Sequence, residues 1–399
     1  PRSTPLYSSA ASDVYKRQGA HSAVIVPGGG TYAMEAVARQ FASQKHCLVL
    51  RNGWFSYRWT QIFEKSDIPA ETSVLKAYRR DDSTEAPFAP APFEDVETYN
   101  HDTRPEVVFA PHVETASGIL LPEDYLRRVA AAVRDAGGLF VLDGVASGTL
   151  WVDMRDIGVD VLISAPQKGW TGTPCAGLVM LGQRARTLIE ETTNSSFALD
   201  FLKWLEVMEA YEAGADAYHT TLPTDGLQRL RDAMMESEAI GFESLRSAQN
   251  ELGRRARAVL VAKGFRSVAA SGFQAPCVIV SYTRDTNIVK RFADAGTQVT
   301  TGVPLMCGEP DDYCAFRIGL FGLDKLTNIH DTVARLEHAR LVRMGERRLP
   351  VLVTPASRAD LVDVPDSPES TLPPLCRPAR RPRGGGAPHR GLPGDRTQR

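Results

Sequence analysis

Lys168 stands by itself in the stretch "VDVLISAPQKGWTG". An apolar, β-prone run stops at Ser164-Ala165-Pro166, and the first charged side chain after it is this one amine. An amine held neutral at the mouth of a strand can bond covalently to an aldehyde; the same lysine in a solvated loop does no chemistry. Other stretches carry groups that such chemistry needs. "SAVIVPGGGT" runs a short strand into Gly28-Gly29-Gly30-Thr31 and then into a helical pattern. Unpaired N–H groups at a helix start attract an anion, and glycine lets a phosphate come close. The motif matches neither established phosphate fingerprint, so by itself it fits a plain strand-to-helix turn equally well. "GLFVLD" ends on Asp143, which alone could be a helix cap. "EVVFAPHVETASG" ends in the polar run His112-Val113-Glu114-Thr115.

The elements that must position these groups follow from periodicity. Residues 20 to 343 alternate strand-like and helix-like patterns, the mark of α/β architecture. "TYAMEAVARQFA" has apolar residues at helical spacing, and "PEDYLRRVAAAVRDAG" is an amphipathic helix with acids at its start and glycine at its end. "HCLVLRNG", "GLFVLDGVAS" and "DVLISAPQK" read as strands apolar on both faces, which suits a mostly parallel sheet covered by helices. "AGLVMLG" should return beside them as a hairpin partner. From Leu227 long helices take over, followed by "CVIVSYT", "VTTGV" and "FRIGLFG", the pattern of a linking helix and a smaller α+β domain.

Ligands of an open α/β sheet sit beyond the carboxyl ends of its strands, and that is where the glycine turn, Asp143 and Lys168 all fall. Pyridoxal phosphate asks for this combination: a lysine for its aldehyde, an anion site for its phosphate, and a carboxylate that keeps its ring nitrogen protonated. The spacing of 25 positions from Asp143 to Lys168 allows one turn, a short helical crossover and a second strand.

Residues 20 to 343 resemble a fold type I pyridoxal-phosphate enzyme of the class V aminotransferase family, in particular its alanine–glyoxylate and serine–pyruvate aminotransferases. "GGGTYAMEA", "NGWFSYR", "HVETASG", "VLDGVAS", "SAPQKG", "YHTTLP" and "FRIGLFG" carry the resemblance, in the family's order and spacing. The resemblance implies that Lys168 bonds the cofactor and then shuttles a proton. It implies that Asp143 holds the ring nitrogen while Val145 and Phe55 cover the ring's faces, Phe55 standing where the family often has Trp and next to Trp54. Gly29, Gly30, Thr31 and Gln167 would bind the phosphate from one subunit of a homodimer, Tyr218 and Thr221 from the other. Thr115 would contact the phenolic oxygen, and Arg317 would clamp a substrate carboxylate with a two-pronged pairing that lysine could not copy. Without the family pattern Arg317 would read as a surface arginine at a strand edge.

The function so implied is transfer of an amino group from a small amino acid of alanine or serine type to a 2-oxo acid of glyoxylate or pyruvate type. A 2-aminoethylphosphonate transaminase would show the same cofactor residues. A cysteine desulfurase-like lyase usually has His before the lysine and a Cys on a mobile loop, and Gln167 argues against it. A truncated, non-catalytic pyridoxal-phosphate-binding protein is the alternative of another class: intact Lys168, Asp143 and Arg317 argue against it for the parent protein, while the replaced start leaves it open, or an impaired enzyme, for this chain.

Composition excludes little but points the same way. The 399 residues, 43% hydrophobic and 24% charged, are ordinary for a globular protein, and a net charge of −2 favours neither nucleic acid nor membrane as partner. The longest apolar runs are too short to span a bilayer. The six cysteines show no C-x-x-C pair and no zinc spacing with His, so no metal is expected, and they read as reduced thiols of a cytoplasmic protein. Cys175, Cys307, Trp170 and Trp204 are expected to be packing residues. Four segments are expected: an adapter-like, non-native start at 1–19, with the family's residues before the phosphate loop replaced; a large cofactor-binding domain at 20–225; a linking helix and small domain at 226–343; and a disordered or read-through tail at 344–399, rich in Pro, Gly and Arg and free of lysine. The arginines of that tail lack the interleaved aromatics of a nucleic-acid binder.

Overall fold

The computed structural model describes residues 19–343; the expectations for the adapter-like start and for the tail from 344 lie outside the described residues. Strands β1 (Ser22–Pro27), β2 (His46–Arg51), β3 (Glu71–Lys76), β4 (Val107–Pro111), β5 (Leu139–Asp143), β6 (Val161–Ser164) and β7 (Ala176–Leu181) form one seven-stranded sheet in the order β1-β7-β6-β5-β4-β2-β3. Neighbours from β6 through β3 run parallel, whereas β7 lies antiparallel to both β6 and β1. β7 is thus the hairpin return expected from "AGLVMLG". Six strands therefore share one direction and deliver their carboxyl ends to one edge.

The central strands are buried along their whole length, as Val, Leu, Ile and Phe on both faces require. Helix α1 (Gly30–Phe41) packs on β7, and helix α2 (Trp54–Ser66) packs on β2 and β4. Helix α3 (Glu123–Asp135) keeps Leu126, Val129, Ala130 and Val133 buried, with Glu123 and Asp124 in its first turn and Arg134 in its last. Those charges complement the helix dipole. The crossover from β5 to β6 contains one short helical turn, Met154–Ile157.

Two long helices follow, α4 (Thr224–Ile240) and α5 (Phe242–Val261). They lead to a three-stranded antiparallel sheet in the order β8-β10-β9, made of β8 (Val278–Tyr282), β9 (Thr300–Thr301) and β10 (Ala315–Gly319). A distinct core joins the two sheets. Val113, Ala116 and Ala146 from the large side meet Cys277, Val278 and Val280 from the small side, with Trp54, Phe55 and Phe321 packed against them. Trp170, Trp204, Cys175 and Cys307 are buried, as expected of packing residues, and Cys47, Cys175, Cys277 and Cys307 are free thiols. No helix among the described residues is long and apolar enough to cross a membrane.

Candidate active site

Strand register brings the candidate groups together. Asp143 is the last residue of β5, paired across the sheet with Pro111 on one side and Ile163 on the other. The backbone N–H of His112 donates to the Asp143 carbonyl. The turn after β4, which carries Glu114 and Thr115, and the turn after β6, which carries Gln167 and Lys168, therefore flank the end of β5. The glycine turn after β1 is held beside them by the N–H of Gly28, which donates to the Cys175 carbonyl.

Asp143 is 7% exposed, and its Oδ1 accepts from the Val145 N–H at 3.0 Å. Burial pushes its carboxyl up to about 6, Glu114 adds to the rise, and the Val145 hydrogen bond and Arg58 oppose it. Lys168 moves the other way. Burial, then the neighbouring charge of Arg317, holds its amine below the usual lysine range. Its Nζ lies 5.3 Å from the centre of the Phe321 ring. The amine is thus half-buried, near a cation and an aromatic face, an environment that favours the neutral form in which a lysine reacts.

The phosphate candidates form an open cradle. Gly29 precedes helix α1 and has no atom within 4 Å of where a Cβ would stand. A Cβ on Gly30 would meet the Val145 side chain at 2.9 Å, so Val145 lies against the same loop. The Gln167 carboxamide oxygen is buried with no hydrogen-bond partner among the described residues. Thr31 Oγ1 accepts from Arg58 Nη1 at 2.8 Å. Arg58 was not singled out by sequence reasoning, although it closes the quoted "NGWFSYR" and stands three residues after Phe55. On a helix that spacing puts both on one face.

Two cations stand near the Phe55 ring. The guanidinium carbon of Arg58 is 5.2 Å from its ring centre, and that of Arg317, reaching over from β10, is 6.0 Å away. Arg317 Nε donates to the Thr301 carbonyl at 3.1 Å, and the Arg317 charge contributes to the lowering of the Lys168 amine. Phe55, rather than Trp54, is the ring next to these groups; Trp54 packs on Tyr57 at 5.6 Å. Thr115 is buried beside Glu114. Tyr218 and Thr221 are not brought in: Tyr218 is 79% exposed, Thr221 is exposed, and neither side chain makes a hydrogen bond among the described residues.

Chemically, the set can hold pyridoxal phosphate. A buried carboxylate short of a counter-ion suits a protonated ring nitrogen. An open glycine cradle with an orphaned amide and a nearby guanidinium suits a phosphate. A desolvated lysine suits an aldehyde.

Comparison with known proteins agrees. The family model for class-V aminotransferases matches residues 2–302. The chain is 30% identical over 337 residues to a 2-aminoethylphosphonate–pyruvate transaminase of Paraburkholderia phymatum, covering 82% of this chain and 85% of that protein. A second such transaminase, from Paraburkholderia xenovorans, is 30% identical over 339 residues, with 82% and 85% covered. An alanine–glyoxylate aminotransferase from Nostoc sp. has the same fold, with a TM-score of 0.69 at 19% identity over 84% of this chain and 87% of that one. With family model, relatives and fold in agreement, the chain belongs to the class-V aminotransferase family, the pyridoxal-phosphate-dependent transaminases of fold type I.

Proposed function

We propose that this transaminase moves the amino group of a small anionic amine, 2-aminoethylphosphonate in the first instance, to pyruvate. The observation that carries the reading is Arg317: its fork faces Phe55 at 6.0 Å and its charge is felt by the Lys168 amine. An anionic tail paired to that fork brings its amine to the lysine. The names of the 30%-identical relatives favour a phosphonate as the tail and pyruvate as the acceptor. A single guanidinium fork also matches a carboxylate, which keeps an alanine or serine donor with glyoxylate as the second reading.

Bound pyridoxal phosphate supplies an electron sink for the bond broken at the substrate carbon. The chain's own residues do the rest in this reading. Asp143 keeps a proton on the ring nitrogen; Val145 and Phe55 fix the ring plane and exclude water from its faces. Thr115 hydrogen-bonds the phenolic oxygen. Gly29, Gly30, Thr31 and Gln167 bind the phosphate, with Arg58 adding a positive charge. Lys168, as a neutral amine, would take the proton from the substrate carbon and give it back to the bound adduct to complete the transfer. A thiol-based lyase fits less well. Burial pushes Cys277, the thiol electrostatically coupled to Lys168, up to about 12, which leaves it protonated and unreactive.

A half-reaction panel separates the donor readings. Purified protein carrying the cofactor is mixed with 2-aminoethylphosphonate, alanine or serine, and conversion to the pyridoxamine form is followed by absorbance. Fast conversion with the phosphonate and slow conversion with the amino acids is expected. Conversion by alanine or serine alone would move the assignment to the second reading.

A further inference from the structure

Glu114 belongs to the "HVETASG" stretch, and the reading above gives it no part. It is fully buried, and its two oxygens accept hydrogen bonds from Phe55 N (3.3 Å), Ser56 N (2.8 Å), Ser56 Oγ (2.8 Å) and Ala116 N (3.0 Å). Phe55 and Ser56 are the second and third residues of helix α2, whose orphan N–H groups an N-cap side chain ordinarily satisfies. The N-cap here is Gly53, which has no side chain, and a Cβ on it would stand 2.7 Å from Glu114 Cγ. The cap is therefore imported. A carboxylate from the turn after β4 occupies the place that the glycine leaves open, where the helix dipole stabilises its charge. Ser56 Oγ ties the same knot from the other side by accepting from Asn52 N (2.9 Å) and Gly53 N (3.1 Å).

This clamp joins two parts of the site. Glu114 precedes Thr115, and the helix turn that it grips carries Phe55, with Arg58 one turn on reaching Thr31 of the phosphate cradle. We propose that Glu114 is a positioning residue that sets the Phe55 ring against the cofactor by capping helix α2 from the segment that follows β4. The inference rests on the reading of Phe55 as the stacking ring. Without the carboxylate, the part-buried Phe55 N–H and the buried Ser56 N–H at the start of α2 lose their acceptor, and the first turn must shift or fray to find water. Phe55 moves with it.

The test is the affinity of the apoenzyme for pyridoxal phosphate in a double-mutant cycle of Glu114→Gln with Phe55→Ala. The carboxamide keeps the shape of Glu114 but turns an N–H group toward the helix donors. Each single change is expected to weaken binding about tenfold, the size of a lost aromatic stacking contact. The double variant is expected to bind about as well as the weaker single one, because both changes remove the same contact. At saturating cofactor, the induced circular dichroism of the bound ring should fall in both singles. A purely structural role for Glu114 would lower the melting temperature but leave that band intact and let the two losses multiply, which would overturn the proposal. Should Glu114→Gln fail to fold, Ser56→Ala loosens the same clamp, and its smaller loss must show the same coupling to Phe55→Ala. Wild-type affinity in Phe55→Ala would instead remove the stacking reading, and this inference with it. Wild-type affinity in Glu114→Gln beside a weakened Phe55→Ala would overturn the inference alone.

Discussion

Asp143 and His112 are neighbours on the carboxyl edge of the sheet, and burial shifts them in opposite senses. The folded chain holds the Asp143 proton up to about 6 against an ordinary 3.8, so the stability it contributes is present in full below about pH 4 and is lost as pH rises through 6. Burial, followed by the charge of Arg246, pushes His112 down to about 4 from 6.5. Its contribution is present above pH 6.5 and is lost as pH falls through 4. The two nearly cancel in the apoenzyme. Asp143→Asn removes only the first, so urea titrations should show the variant gaining about 3 kcal/mol on wild type between pH 4 and 7. A constant difference across that range would mean that Asp143 is not desolvated. Residues of this kind were legible in the sequence. Asp143, Lys168 and the glycine turn each end an apolar run, so their place at the sheet edge follows from pattern alone. Glu114 and Arg58 were not legible in that way, because what makes them matter is a contact with a distant segment.

Among the elements, the turn after β6 explains why a lone lysine has glycine after it. A Cβ on Gly169 would overlap the carbonyl of Gly148, backbone against backbone, in the turn that follows Asp143. The Lys168 turn and the Asp143 turn are thus pressed together at a point where no side chain fits. Gly169→Ala is expected to destabilise the chain by about 1–3 kcal/mol, the usual cost of overpacking, and to weaken cofactor binding with it. Chemical unfolding and a cofactor titration measure both, and an unchanged midpoint would show that the two turns part freely. Helix α2 and strand β3 show where pattern fails. Helix α2 starts at a glycine with no capping residue, since its cap comes from Glu114. Strand β3 lies at the sheet edge, exposed or half-buried throughout, with Glu71 and Lys76 at its ends. Charged ends suit an edge strand, but they erase the apolar signal by which a strand is recognised.

For the molecule as a whole, the large sheet with its helices and the small antiparallel sheet share a joint core, and a division near residue 225 is proposed from the sequence pattern. The family resemblance gives Tyr218 and Thr221, both exposed here, to the phosphate of a partner subunit, and we propose a homodimer with shared sites on that ground. Mixing Lys168→Ala protein with Tyr218→Phe/Thr221→Ala protein should then restore activity, because some heterodimers have one intact site. Confirmed exchange with no activity above either parent would rule out sharing. Lys168 is the residue on which the proposed site depends most directly. Borohydride reduction of the protein carrying its cofactor, followed by digestion and mass mapping, should place the pyridoxyl label on the peptide that contains Lys168. Label on any other lysine, or none on that peptide, would contradict the site proposed here.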